Sequence, residues 1–126
     1  MTKKPFDIKE RTFGFSVEII KLTRVLPRTV DGIAVARQLI RCGTSVGANV
    51  EEADGAESKR DFIHKMSIAR KEARETRYWL RVIQAASLAT DPTSVAALIQ
   101  ESDELVRILS TIITNTRRNL EASSNR

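Results

Sequence analysis

Arg70, Arg74, Arg77 and Arg81 recur at steps of four, three and four, and Lys59 extends the same line. At about 100° per residue these five cations stay within about 40° of one line along a helix, forming a basic stripe. Such a stripe suits one kind of chemistry, the holding of phosphates. Like charges four residues apart repel slightly, a cost that a purely structural helix more often relieves by interleaving acids. No aromatic side chain lies among the arginines for bases to stack on, so the expectation is RNA or DNA backbone contact without sequence reading. The competing expectation is that the arginines pair with acids of a second or fourth helix, or across a contact between subunits.

The opposite flank of the same helix carries Ile68, Trp79, Val82 and Ala86 beside Glu72 and Glu75. Two carboxylates three apart share a helix face, but acid/base catalysis needs a cleft, and their neighbours here are Ile68 and Trp79. The strip therefore reads as a contact surface between subunits. Pairing of Lys71 with Glu75 along the helix is the plainer alternative for the acids.

Other chemistry lacks its residues. Carboxylate-bridged metals in helix bundles need Glu-x-x-His pairs from two helices, and the chain has one histidine, His64, with no glutamate three residues before it. No serine has a histidine and acid to activate it. Cys42, the single cysteine, falls on an apolar step and reads as a buried small hydrophobe. The stretch GTSVGAN lacks the Lys-Ser/Thr ending of a phosphate loop. The expectation is a protein that is not an enzyme, with no metal, cofactor or small-molecule substrate.

Two further polar features need partners. Glu51, Glu52 and Asp54 crowd a helix C-terminus, where the macrodipole disfavours negative charge. Lys59, Arg60 and Lys65 are the nearest compensating cations; a cation site or a docking point for a basic partner is the alternative. Asn49 sits on a core seam, where a buried amide would fix register, or else lies exposed at the seam's edge.

Four helices must position these residues, expected at about 8–26, 30–54, 58–88 and 92–118. Residues 1–6 form a loose lead-in, and 119–126 a disordered polar tail. Asp7 caps the first helix, Thr29 or Asp31 the second, Ser58 the third, and Asp91 with Pro92 opens the fourth. Gly55 reads as a left-handed stop. Apolar residues recur at steps of four and three: Phe15, Ile19, Leu22 and Leu26; then Val35, Leu39, Cys42, Val46 and Ala53; then Phe62, Met66, Ala69, Ala73, Thr76, Leu80 and Ile83. The fourth helix carries Val95, Leu98, Ser102, Leu105, Leu109, Ile112 and Thr116, flanked by Ile99, Val106, Ile113 and Leu120. Gly43, Gly47 and Ala48 invite close approach of a neighbouring backbone, whereas Gly14 only weakens its helix. Aromatics at 5% and the lack of alternating apolar runs exclude a strand-rich fold. Short connections leave no length for a crossover, so the fold class is all-α, an antiparallel up-down-up-down four-helix bundle in one domain.

Charge and hydropathy bound the partners. The chain has net charge +5, and between Lys59 and Arg81 eight basic residues face three acidic ones. No apolar run approaches the roughly 20 residues that span a bilayer, and the polar start MTKKPFDIKER does not resemble a signal peptide. A cytoplasmic protein with no membrane partner is expected.

The segment Ser45, Ala48 and Asn49, followed by Glu51 and Glu52, and the segment Lys71, Glu72, Ala73, Glu75, Thr76, Tyr78, Trp79 and Leu80 resemble a known family. It is the four-helix bundle family encoded in intervening sequences of bacterial 23S ribosomal RNA genes, and the resemblance extends over roughly residues 8–120. It implies an antiparallel bundle assembled as a cyclic homo-oligomer, a homopentamer. It also implies kinship with retroelement accessory proteins that bind nucleic acid through a basic surface, and no established enzymatic activity.

Overall fold

The computed structural model describes residues 7–124, all in four helices and their connections: α1 (Ile8–Arg24), α2 (Val30–Asp54), α3 (Lys59–Ala85) and α4 (Pro92–Ser124). The expected lead-in at residues 1–6 and the last two residues of the tail lie outside the described residues. Side-chain oxygens start every helix. Asp7 accepts from the Glu10 N–H at 3.3 Å, Thr29 from Gly32 at 3.2 Å, Ser58 from Asp61 at 3.0 Å, and Asp91 from Thr93 at 3.1 Å. Each satisfies an N–H that the first helical turn leaves unpaired. Thr29, not Asp31, caps α2; Asp31 instead takes the Thr29 hydroxyl and the Gly32 N–H, contacts that lower its pKa.

Consecutive helices pack side by side, α1 on α2, α2 on α3 and α3 on α4, while α1 touches α4 only lightly. Lys9 near the start of α1 reaches Asp54 at the end of α2, and Glu52 reaches Lys65, so successive helices run antiparallel. The ring of neighbours is that of an up-down-up-down four-helix bundle. Its core is the set of apolar seams: Phe15, Ile19, Leu22 and Leu26 of the first stretch, Leu39 and Val46 of α2, Met66, Leu80 and Ile83 of α3, and Leu105, Leu109 and Ile113 of α4 are all buried. Phe62, Leu98 and Ile112 are half-buried against it.

Glycines let α1 and α2 close. A methyl in place of the Gly43 hydrogen would lie 2.8 Å from Ile19, one at Gly47 3.0 Å from the Thr12 carbonyl oxygen, and one at Gly32 2.0 Å from the Pro27 carbonyl oxygen. Ala48 takes no part in this approach, being exposed on the outer side of α2.

Three helix ends differ in position from the sequence expectation, and a fourth differs in how it is made. α4 continues through the stretch expected to be a disordered tail as far as Ser124; Leu120 is half-buried there, and the Ser124 hydroxyl donates back to the Leu120 carbonyl at 3.1 Å. α1 stops at Arg24, two residues short of the expected end, as Val25 turns its N–H onto Leu22 ahead of Pro27. α3 stops at Ala85 rather than 88. There the Leu88 N–H bonds to the Ile83 carbonyl and the Ser87 N–H to that of Gln84, with Ser87 at φ 55. This is a Schellman end built on a serine where glycine is usual, and so it has no glycine signal in the sequence. Gly55 does the reverse. Its φ is −97, so α2 ends through short-range bonds of Gly55 to Glu52 and Ala56 to Ala53, and the expected left-handed stop is corrected.

Candidate nucleic-acid interface

The two long flanks of α3 face different neighbours. Arg70 donates to the Ser110 hydroxyl at 3.3 Å, and Arg77 lies 2.6 Å from an Asp103 carboxylate oxygen, both on α4. The basic stripe therefore borders the α3/α4 seam. The Arg77 Nε contact is an ion pair without an aligned hydrogen bond. These two contacts divide the stripe: Arg70 and Arg77 are half-buried and engaged within the bundle, whereas Lys59, Arg74 and Arg81 are exposed and make no ion pair among the described residues. The same contacts set the antiparallel register of α3 and α4, which places Arg107, exposed on α4, level with Arg74. Sequence reading missed Arg107, since only the pairing of helices brings it to the stripe.

The opposite flank of α3 faces α2. Arg41 of α2 donates to Glu75 and lies 3.6 Å from Glu72, and the Trp79 indole N–H donates to the same Glu75 oxygen at 3.1 Å. Glu75 thus pairs across helices and not with Lys71. One Glu72 carboxylate oxygen is buried without a hydrogen bond. Ile68, Trp79 and Val82 are half-buried, with Trp79 packed on the core and Tyr78 edge-on to it at 5.0 Å between ring centres; Ala86 is exposed at the helix end. The six residues expected at a subunit contact do share one side of the bundle, but part of that strip is already covered by α2.

Arg41 escaped sequence reading. Its only signal was a position one step from the seam residue Cys42.

At the end of α2 the acids are shared between two helices. Glu52 pairs with Lys65 at 3.1 Å, while Lys9 of α1 holds Asp54 at 3.0 Å and Glu51 at 3.6 Å, and these carboxylates raise the Lys9 pKa, Asp54 most. Lys59 and Arg60 form no ion pair with them among the described residues. Asn49 is half-buried, and its amide donates to the Ser45 carbonyl of its own helix at 2.8 Å. Cys42 is buried, and burial raises its thiol pKa. His64 is exposed. No group of three side chains among the described residues could hold a metal ion, and no described helix is long and apolar enough to cross a membrane.

A family model described as 23S rRNA-intervening sequence protein matches residues 4–111. The chain belongs to this family. A crystal structure of a member of the S23 ribosomal protein family from Bacteroides thetaiotaomicron, itself of unknown function, is 36% identical over 84% of this chain and 97% of that one, with a TM-score of 0.78. No curated protein matches the sequence. The two segments that carry the resemblance lie one after the other along the same seam: Glu52 pairs with Lys65 and Arg41 with Glu72 and Glu75, so Ser45 to Glu52 of α2 runs beside Lys65 to Glu72 of α3, and the rest of the α3 segment runs on toward the start of α2. Both family segments thus border the α2/α3 seam, and the free cations lie on the other side of α3.

Several exposed apolar side chains lie elsewhere again. Phe13, Val17 and Ile20 of α1 and Ile40 of α2 are exposed, Phe13 at 68%. Their signal was present in the sequence as a second row at steps of four and three beside the inner row of α1.

Proposed function

We propose that the protein is a non-enzymatic, oligomeric cytoplasmic bundle that holds nucleic acid weakly and without sequence preference through the α3/α4 face. One observation carries the reading: Lys59, Arg74 and Arg81 present exposed cationic heads with no acid in ion-pair range among the described residues, and the exposed Arg107 lies level with Arg74 in the α3/α4 register. The acids of α3 and α4 near this face are engaged by other cations, Asp103 by Arg77, Glu72 and Glu75 by Arg41, and Glu101 and Glu104 by Arg11. Phosphate contacts by such side chains release counterions, so affinity should fall steeply with salt. A ring multiplies the field of each face by the subunit number.

Assembly as a cyclic homo-oligomer, a pentamer by the family resemblance, is part of the same proposal. The exposed row Phe13, Val17, Ile20 and Ile40 supports it, because it differs from the α3 flank at Ile68, Trp79 and Val82. Two unlike apolar surfaces allow head-to-tail contacts that close on themselves. A mass equal to the 14.1 kDa monomer by light scattering at tens of micromolar would remove this part.

A purely structural oligomer is the second reading, favoured by the engagement of Arg70 and Arg77 within the bundle. Titration of duplex DNA and structured RNA at low salt separates the two. Wild type should bind both, and Arg74→Glu with Arg81→Glu, two exposed and unpaired positions, should abolish binding while leaving helix content and assembly intact. No binding by wild type, or equal binding by the variant, rejects the stripe.

A further inference from the structure

The bundle has three closed seams and one open one. Along α1 and α4 the helices are clasped by Arg11, whose guanidinium binds both Glu101 and Glu104. Between that clasp and the turn at Val25 and Asp91 the two helices part, leaving a groove of about 790 Å³. Its floor is apolar: Phe15 and Leu22, which the core otherwise buries, and half-buried Leu98.

Gly14 stands on the rim of this groove, and it is the one glycine inside a described helix with no intramolecular reason to be there. A methyl at Gly32, Gly43 or Gly47 would collide with a neighbouring chain segment, whereas nothing lies within 4 Å of one at Gly14. A mid-helix glycine costs up to about 1 kcal/mol relative to alanine. On α4 the same groove is lined by the small residues Ser94 and Ala97.

The charge of the groove is the inverse of the chain's. Four carboxylates line it (Glu10, Glu18, Asp91 and Glu101) against Arg11 and Lys21, in a protein of net charge +5. Arg11 is held by Glu101 and Glu104, and Lys21 lies 3.8 Å from Glu18, which leaves Glu10 and Asp91 as the lining carboxylates with no cation in ion-pair range among the described residues. A nucleic acid is repelled here.

We infer that the α1/α4 groove is a docking site for an amphipathic helix of a partner, with an apolar stripe flanked by lysine or arginine. The stripe would rest on Phe15, Leu22 and Leu98, the backbone would approach over Gly14, and the basic flanks would meet Glu10 and Asp91. From Glu10 to Val25 the groove runs about 22 Å at 1.5 Å per residue, the length of a helix of about 15 residues. This site lies on a different seam from the α3/α4 face, so it stands or falls apart from nucleic-acid binding.

The test uses the full chain and two synthetic helices of about 18 residues, one with leucines at helical spacing and lysines elsewhere, the other with glutamates in place of the lysines. Fluorescence polarisation should show one lysine peptide bound per chain, and the glutamate peptide at least about tenfold more weakly. Gly14→Leu should weaken the lysine peptide by a similar factor while keeping the wild-type melting temperature or raising it, since the new side chain meets open space. No binding of the lysine peptide, equal binding of both peptides, or unchanged binding by Gly14→Leu would overturn the inference. So would dissociation of a wild-type oligomer by Gly14→Leu in light scattering, which would make a second copy of the chain the occupant.

Discussion

Gly32 and Gly14 are both helical glycines, and replacement of each by alanine should shift stability in opposite directions. Alanine at Gly32 would place its methyl 2.0 Å from the Pro27 carbonyl oxygen, an atom of the backbone that cannot rotate away as a side chain would. The turn between α1 and α2 must open to admit it. Overpacking of this kind costs about 1–3 kcal/mol, and opening also strains the Thr29 cap, whose oxygen accepts from the Gly32 N–H at 3.2 Å. Against that, the helix gains up to about 1 kcal/mol in propensity. The net is a destabilisation of about 2 kcal/mol, a fall in Tm of about 6–10 °C for a chain of this size. At Gly14 only the propensity gain acts, so Gly14→Ala should raise Tm by up to about 4 °C. The assay is urea and thermal unfolding followed by far-UV circular dichroism at one fixed protein concentration, because assembly would otherwise shift the midpoint. A Gly32→Ala variant as stable as wild type would refute the reasoning, as would a destabilised Gly14→Ala.

Three further outcomes follow from the seams. Glu75→Gln removes the charge shared by Arg41 and the Trp79 indole; tryptophan emission should shift while stability changes by less than about 1 kcal/mol, because these groups are partly exposed. An unchanged emission spectrum would count against the observed indole bond. Arg77→Ala should cost up to about 1 kcal/mol through loss of Asp103, whereas Arg81→Ala should cost nothing measurable; equal costs would mean that the stripe is not divided as described. Cys42 is an acid whose folded pKa is raised by burial, so its thiol ionises in the unfolded chain first. Stability should therefore be unaffected by this group below the ordinary thiol pKa of about 8.5 and decline above it, and Cys42→Ala should lack that component of the decline. The thiol should also react with a disulfide reagent only as fast as the bundle opens.

The inner seams of all four helices, their caps and the antiparallel topology could be read from the sequence, because each depends on spacing within one segment. Phe15 to Leu22, Leu39 to Val46 and Met66 to Ile83 are core by periodicity alone, and Asp7, Ser58 and Asp91 are caps by residue type and place. The stripe from Lys59 to Arg81 and the strip from Ile68 to Ala86 were legible as faces for the same reason. Which side of the bundle each face would meet was not. That Arg77 is spent on Asp103 and Arg81 is not, that Arg41 rather than Lys71 takes Glu75, and that Lys9 reaches Asp54 from 45 residues away are decided by how helices sit against one another. The purpose of the glycines was hidden in the same way, since Gly43 and Gly14 look alike in a string of letters, and only the packed neighbour shows that one touches Ile19 and the other nothing. Periodicity fixes a helix's faces about its own axis; the rotation and register of its neighbours set what each face encounters, and those are properties of the assembled bundle.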